Sequence, residues 1–234
     1  MYGTSEHESV RLLRLRVEKA LKEEDKKVLL VSSAIPGEGK TTIAVNLAVS
    51  LAQKGKKVLL IDCDLRNPSV VGTLSTKNHP LVNSNNLVDY LRGTITVMDA
   101  VQPTELNNLA VIPGGTGGKA ESSSMLSDSR MERLIQAARN LYDYVILDTP
   151  PCSLLADAAE LAELAEAGLM VIRQDYAARD QIVDGVQRLS DGKLPIIGCA
   201  FNNVRKGLAG TYGYGYGYGY GYGYGYGYGY GNKK

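Results

Sequence analysis

The chain has no tryptophan, one phenylalanine (Phe201), two histidines and three cysteines among 234 residues. Each shortage closes off a class of function. Without interleaved aromatics, and with 26 basic against 25 acidic residues scattered along the chain, it has no platform for nucleic acid, and none is expected as a partner. Cys63, Cys152 and Cys199 are odd in number and far apart. That predicts neither a disulfide framework nor a zinc site, but three small buried hydrophobes in a reducing cytosol. His7 and His79 stand in polar segments with no ligand partner nearby, which argues against an imidazole metal site. No apolar run approaches the roughly 18–20 residues that a bilayer crossing needs. Met1 to Glu8 is polar and lacks the apolar core of a secretory signal. The expectation is a cytoplasmic chain, with any membrane attachment passing through a partner.

What is present points to one α/β domain and a tail. Short apolar runs, Lys27–Ser32, Lys57–Asp62, Leu109–Ile112, Tyr144–Leu147, Gly168–Ile172 and Leu194–Phe201, alternate with helix-patterned segments. Those segments are Thr41–Gln53, Leu87–Leu91, Ser127–Leu141, Ala156–Ala165 and Asp180–Leu189. The runs are continuously apolar rather than alternating, as strands buried on both faces are. The fold class is therefore α/β, doubly wound, with a mainly parallel sheet. Residues 5–24 read as an amphipathic helix, with Val10, Leu13, Val17, Ala20 and Leu21 at helical spacing and Ser5 with Glu8 as a capping box. From Gly207 the composition changes, and Tyr and Gly alternate strictly from Tyr212 to Gly231. Glycine at every second position makes ordering costly, so this segment reads as a disordered tail. The domain limits are thus 1–24, 25–206 and 207–234.

Residues 33–41, SAIPGEGKT, follow a strand and open a helix, the context in which a Gly-rich Lys-Thr turn cradles phosphate. Gly37 and Gly39 let the backbone curl so that its N–H groups point inward. The candidate ATP contacts are Pro36, Gly37, Glu38, Gly39, Lys40, Thr41 and Thr42. Lys40 would bridge the β- and γ-phosphates and Thr41 would place its hydroxyl on Mg²⁺. Ala34 stands where the usual pattern has glycine.

Two apolar runs end in aspartate, LLIDCDLR at Asp62 and Asp64 and YVILDTPP at Asp148. Parallel strands end on one edge, where ligands bind, so all three carboxylates are expected near the loop. Asp148 fits a Mg²⁺-holding role. If the strand continued past Asp62, Asp62 and Asp64 would face opposite sides. One would then reach the metal while the other takes a proton from an attacking hydroxyl. Asp62 is expected to be the base and Asp64 the metal support, since a phenol with pKa near 10 needs help to lose its proton.

With these residues in place, the chain resembles the bacterial tyrosine kinases of capsule and exopolysaccharide synthesis, the BY-kinases, which are P-loop NTPases with deviant Walker motifs. The resemblance rests on PGEGKT, DCDLR, ILDTPP, a C-terminal tyrosine cluster, and Glu8, Arg11 and Arg14 in an E-x-x-R-x-x-R helix. It implies an ATP- and Mg²⁺-dependent tyrosine kinase that assembles through that helix into a ring, an octamer in similar proteins. It implies a separate transmembrane adaptor at the inner face of the membrane and further tyrosine substrates. It implies phosphorylation, in a neighbour's active site, of Tyr212, Tyr214, Tyr216, Tyr218, Tyr220, Tyr222, Tyr224, Tyr226, Tyr228 and Tyr230. It also carries Asn202 over as a residue near the nucleotide base. Residues 120–126, AESSSML, replace an Asn-Pro pair usual in relatives.

Two other readings compete with this one. A partitioning or site-selection switch ATPase shares the loop, but such proteins carry a lysine where this chain has Ile35. A cohesive Gly-Tyr structural segment would explain the tail but not the domain before it.

Overall fold

The computed structural model describes residues 8–77, 79–115, 122–152, 157–191 and 193–205. The tyrosine run, and with it the expected disorder of the tail and all ten candidate acceptors, lies outside them. A body spans Met1–Asn203, and a second unit, Val204–Lys234, is described only at Val204 and Arg205.

The chain begins with α1 (Glu8–Glu23), β1 (Val28–Ser33), α2 (Lys40–Gln53) and β2 (Val58–Asp62). Three short helices follow, α3 (Val70–Leu74), α4 (Leu87–Leu91) and α5 (Val97–Ala100), then β3 (Gln102–Pro103) and β4 (Leu109–Ile112). The rest comprises α6 (Ser122–Leu126), α7 (Ser129–Leu141), β5 (Tyr144–Asp148), α8 (Asp157–Ala162), β6 (Ala167–Arg173), α9 (Arg179–Asp191) and β7 (Ile196–Asn202). The sheet order is β3-β4-β2-β5-β1-β6-β7, with every pairing parallel except β3 against β4.

The continuous apolar runs have a direct cause. In β1, Val28 and Leu30 enter one core while Leu29 and Val31 enter the other. β5 divides in the same way, Val145 and Leu147 against Ile146. One core is closed by α4 to α9, the other by α1 to α3. Burial on both faces leaves no position for a polar residue until the strand ends.

Several sequence expectations shift. The helix read over Ser127–Leu141 starts at Ser129, because Asp128 caps it by accepting the Arg130 N–H at 2.7 Å. Within the stretch 120–126, α6 forms at 122–126. The last strand starts at Ile196 rather than Leu194, beside a register shift at Gly168/Leu169. Of the cysteines expected to be buried, Cys199 is exposed, because β7 is the outermost strand described on its side of the sheet.

Candidate active site

β1 lies in the interior of the sheet, between β5 and β6, and the chain after it turns through the phosphate loop into α2. The turn needs left-handed backbone at two residues, Gly37 (φ 86°) and Gly39 (φ 92°). A side chain at either would also collide, with the Tyr176 hydroxyl 2.5 Å from a Cβ on Gly37 and Asn202 Nδ2 2.2 Å from one on Gly39. α2 begins with no side-chain cap and no acid in its first turn. Its leading N–H groups and the positive end of its dipole are therefore left for an anion.

The loop is latched to the sheet. Cys152 N–H donates to Ser33 O at 2.9 Å, and Ser33 Oγ donates to Ile35 O at 2.9 Å. The Thr149 hydroxyl donates to Val31 O at 3.1 Å, and Ser32 Oγ donates to Pro150 O at 2.9 Å, tying the ends of β1 and β5 together. Pro36 and Gly37 face solvent, and Thr42 is exposed in the first turn of α2. Glu38 differs from its neighbours. Its carboxylate is fully buried within the loop and accepts from Ile35 N–H, so its side chain is not free for a ligand and only its backbone could contact one.

All three aspartates reach this edge. β2 and β5 are in register with Asp62 opposite Asp148. The strand does not continue past Asp62, which corrects the expectation of opposite-facing carboxylates. Instead the chain turns, and Asp64 N–H donates back to Asp62 Oδ1 at 3.2 Å. Asp62 Oδ2 accepts from Ser69 and Val70 N–H at 2.9 and 3.0 Å, so this carboxylate also orients the start of α3. Asp64 Oδ2 pairs with Lys40 Nζ at 2.9 Å. The Thr41 hydroxyl lies 3.0 Å from Ser69 Oγ.

Burial raises the pKa of Asp62 to about 7, and the Asp148 charge adds to this, against the backbone N–H groups that lower it. Burial likewise raises Asp148 to about 6, against the lowering charge of Lys40 and the neighbouring Thr41 hydroxyl. Lys40 is pulled down by its burial, but the Asp148, Asp64 and Asp62 charges prevail and its pKa is raised. When all are ionised, three carboxylates face one ammonium.

Asp148 is fully buried, and among the described residues neither of its carboxylate oxygens has a hydrogen-bond partner within bonding geometry. An ionised carboxylate in that state is costly unless a cation compensates it. Among the described residues no three His, Cys, Asp or Glu side chains close into a metal cage. Thr41, Asp64 and Asp148 offer single oxygens, which suits Mg²⁺ bound on substrate phosphates, where phosphate and water complete the shell.

Residues 26–191 match the AAA domain family. A tyrosine-protein kinase of Bacillus subtilis, YwqD, is 35% identical over 206 residues, spanning 88% of this chain and 84% of its own. A tyrosine-protein kinase of Streptococcus agalactiae serotype III, CpsD, is 32% identical over 189 residues, 81% and 79% of the two chains. The solved kinase domain of the Escherichia coli tyrosine kinase ETK aligns with a TM-score of 0.79 at 30% identity, over 94% of this chain and 80% of that one. The chain belongs to the bacterial tyrosine kinases.

In this kinase the remaining candidate residues lie in two places. Asn202 ends β7, and its Nδ2 donates to Glu38 O at 2.8 Å, so its amide is spent on the loop backbone. Glu8, Arg11 and Arg14 lie on α1. Arg11 pairs with Glu8 at 3.1 Å in solvent, whereas Arg14 is buried and pairs with Glu18 at 2.5 Å.

Two further arginines lie close to this edge. Arg66 pairs with the buried Asp157 at 3.0 Å, joining the acidic turn to α8. Arg173, at the end of β6, donates from Nη1 to Gly37 O at 3.1 Å and lies 4.6 Å from the Tyr176 ring. One signal was available for Arg173. A polar residue closing an apolar parallel strand arrives at the same edge as Asp62 and Asp148.

Proposed function

We propose that this tyrosine kinase transfers the γ-phosphate of ATP, bound with Mg²⁺, to tyrosine hydroxyls, and that the ten tail tyrosines Tyr212–Tyr230 are its first acceptors. The observation that carries the reading is Asp148, a buried carboxylate with no hydrogen-bond partner among the described residues, close to Lys40 and the uncapped start of α2.

Each group then has a defined task. The loop N–H groups hold the phosphate oxygens, and Lys40 exchanges Asp64 for phosphate. Thr41, Asp64 and Asp148 hold the metal, which supplies charge neutralisation on the β- and γ-phosphates. The acceptor phenol oxygen bonds to the γ-phosphorus, the bond to the ADP oxygen breaks, and the phenol proton passes to Asp62. A carboxylate titrating near 7 is suited to receive it, because its pKa matches the working pH. Ile35 packs against the core, so no cation stands where a switch ATPase would place its lysine.

The wider reading follows relatives such as the putative tyrosine-protein kinase in the cps region of Klebsiella pneumoniae, 33% identical over 206 residues, which are 88% of this chain and 28% of that protein. The kinase would act in capsular or exopolysaccharide synthesis, with residues 1–24 for self-assembly, 25–206 for catalysis and 207–234 as substrate. The tail of one subunit would enter the site of the next in a ring, of octameric size in similar proteins. No helix among the described residues is long and apolar enough to cross a membrane. On the same reading the kinase would work at the inner face of the membrane through a transmembrane adaptor, with other tyrosine proteins as further substrates.

The test is incubation of the purified chain with ATP and Mg²⁺, with and without a candidate adaptor tail, followed by mapping of phosphate by mass spectrometry. Phosphate on Tyr212–Tyr230 that disappears in Lys40→Met is the expected result. ATP hydrolysis with no phosphotyrosine under either condition would overturn the reading.

A further inference from the structure

The phosphate loop is held from outside by groups that no motif names. Gly37 O accepts from Arg173 Nη1 at 3.1 Å, and Glu38 O accepts from Asn202 Nδ2 at 2.8 Å. In a trans peptide the C=O and the following N–H point to opposite sides. Drawing these two carbonyls outward, toward the ends of β6 and β7, therefore turns the N–H groups of Glu38 and Gly39 inward, where a phosphate nest needs them. The Glu38 carboxylate closes the arrangement. Fully buried, it accepts Ile35 N–H at 2.9 Å with Oε2 and Arg173 N–H at 3.2 Å with Oε1. The Tyr176 ring, 4.6 Å from the Arg173 guanidinium and with its hydroxyl against Gly37, restrains the arginine from its outer side.

We propose that Arg173 and Glu38 are positioning residues that set the phosphate loop in its binding shape before nucleotide arrives, Arg173 by orienting the 37–38 peptide and Glu38 by fastening the loop to β6. The inference rests on the reading of the loop as the ATP site. A preformed nest spares the nucleotide the work of ordering it, so the effect falls on affinity. Losing a charge-assisted bond of this kind is worth about tenfold in binding.

The experiment titrates a fluorescent ADP analogue with Mg²⁺ into the full chain as wild type, Arg173→Ala, Arg173→Lys and Glu38→Gln, recording the nucleotide-free thermal midpoint of each. Arg173→Ala is expected to bind about tenfold more weakly at an unchanged midpoint, with KM for ATP rising more than kcat falls. Arg173→Lys recovers most of the affinity, since its ammonium can still donate to Gly37 O. Glu38→Gln also weakens binding although the Arg173 charge remains, because its amide NH₂ meets a backbone N–H where an acceptor is needed. Wild-type affinity in Arg173→Ala overturns the proposal. Loss in Arg173→Ala with wild-type affinity in a folded Glu38→Gln also overturns it, by making Arg173 a direct nucleotide contact. A wild type that binds no ADP overturns the ATP reading itself, and the positioning role with it.

Discussion

Asp62 and Asp148 make the resting site sensitive to pH. An aspartate in an unfolded chain titrates near 3.9. In the folded kinase these two hold their protons up to about 7 and about 6, through burial first and neighbouring charge second. Between about pH 4 and pH 7 the folded state therefore binds more protons than the unfolded one, and stability falls as pH rises through that window. The nucleotide-free thermal midpoint should drop from pH 5 to pH 8 in metal-free buffer, and Asp148→Asn should flatten the slope and raise the midpoint at pH 8. A wild-type midpoint that climbs over the same range would show that these carboxylates are already charged and compensated. Lys40, Thr41 and Asp148 were legible from their motifs, because each motif is a short local spacing with one chemical use. The Lys40–Asp64 pair and the capping of α3 by Asp62 were not, because both depend on the turn that follows β2.

Among the elements, α1 separates two roles that its sequence joins. Glu8 and Arg11 form an exposed pair of 64% and 51% side-chain exposure, while Arg14 is 6% exposed and pairs with Glu18. An exposed i,i+3 pair contributes little, so Glu8→Ala or Arg11→Ala should change stability by less than about 0.5 kcal/mol. Removing Arg14 leaves Glu18 facing a largely buried site, and Arg14→Ala should cost roughly 1–3 kcal/mol in urea unfolding. If α1 mediates assembly, Glu8→Ala and Arg11→Ala will dissociate the oligomer with the fold intact, as size-exclusion light scattering would show. An unchanged mass in both would remove α1 from the interface. The main strands and helices were readable from continuous apolar runs and helical spacing. The short elements α3, α5 and β3 were not, since stretches of two to five residues carry no period.

For the whole molecule, charge is the quantity that phosphorylation changes. The chain carries a net +1, and each phosphotyrosine adds about −1.5 to −2, so a few of them leave every subunit strongly anionic. Like charge on neighbouring subunits opposes a ring. The ATP-treated wild type should run at a smaller mass than Lys40→Met, and the difference should narrow at high salt as screening grows. Equal masses for fully phosphorylated and unphosphorylated protein would separate phosphorylation from assembly.

The amino-acid sequence by itself determined the α/β class, the phosphate loop with its lysine and threonine, the strand-ending aspartates and the tyrosine run. These are encoded by neighbours in the chain: an apolar run that stops, a glycine where only glycine fits, a residue type repeated at every second position. Only the tertiary structure decided which carboxylate faces Lys40, which one has no hydrogen-bond partner among the described residues, and that Arg173 and Asn202 grip the loop from outside while Glu38 ties it to β6 from within. Those contacts join residues 24 to 164 positions apart, brought together by the shared edge of a parallel sheet. No spacing along the chain records them, because the sheet order that creates them is set by how the two cores pack.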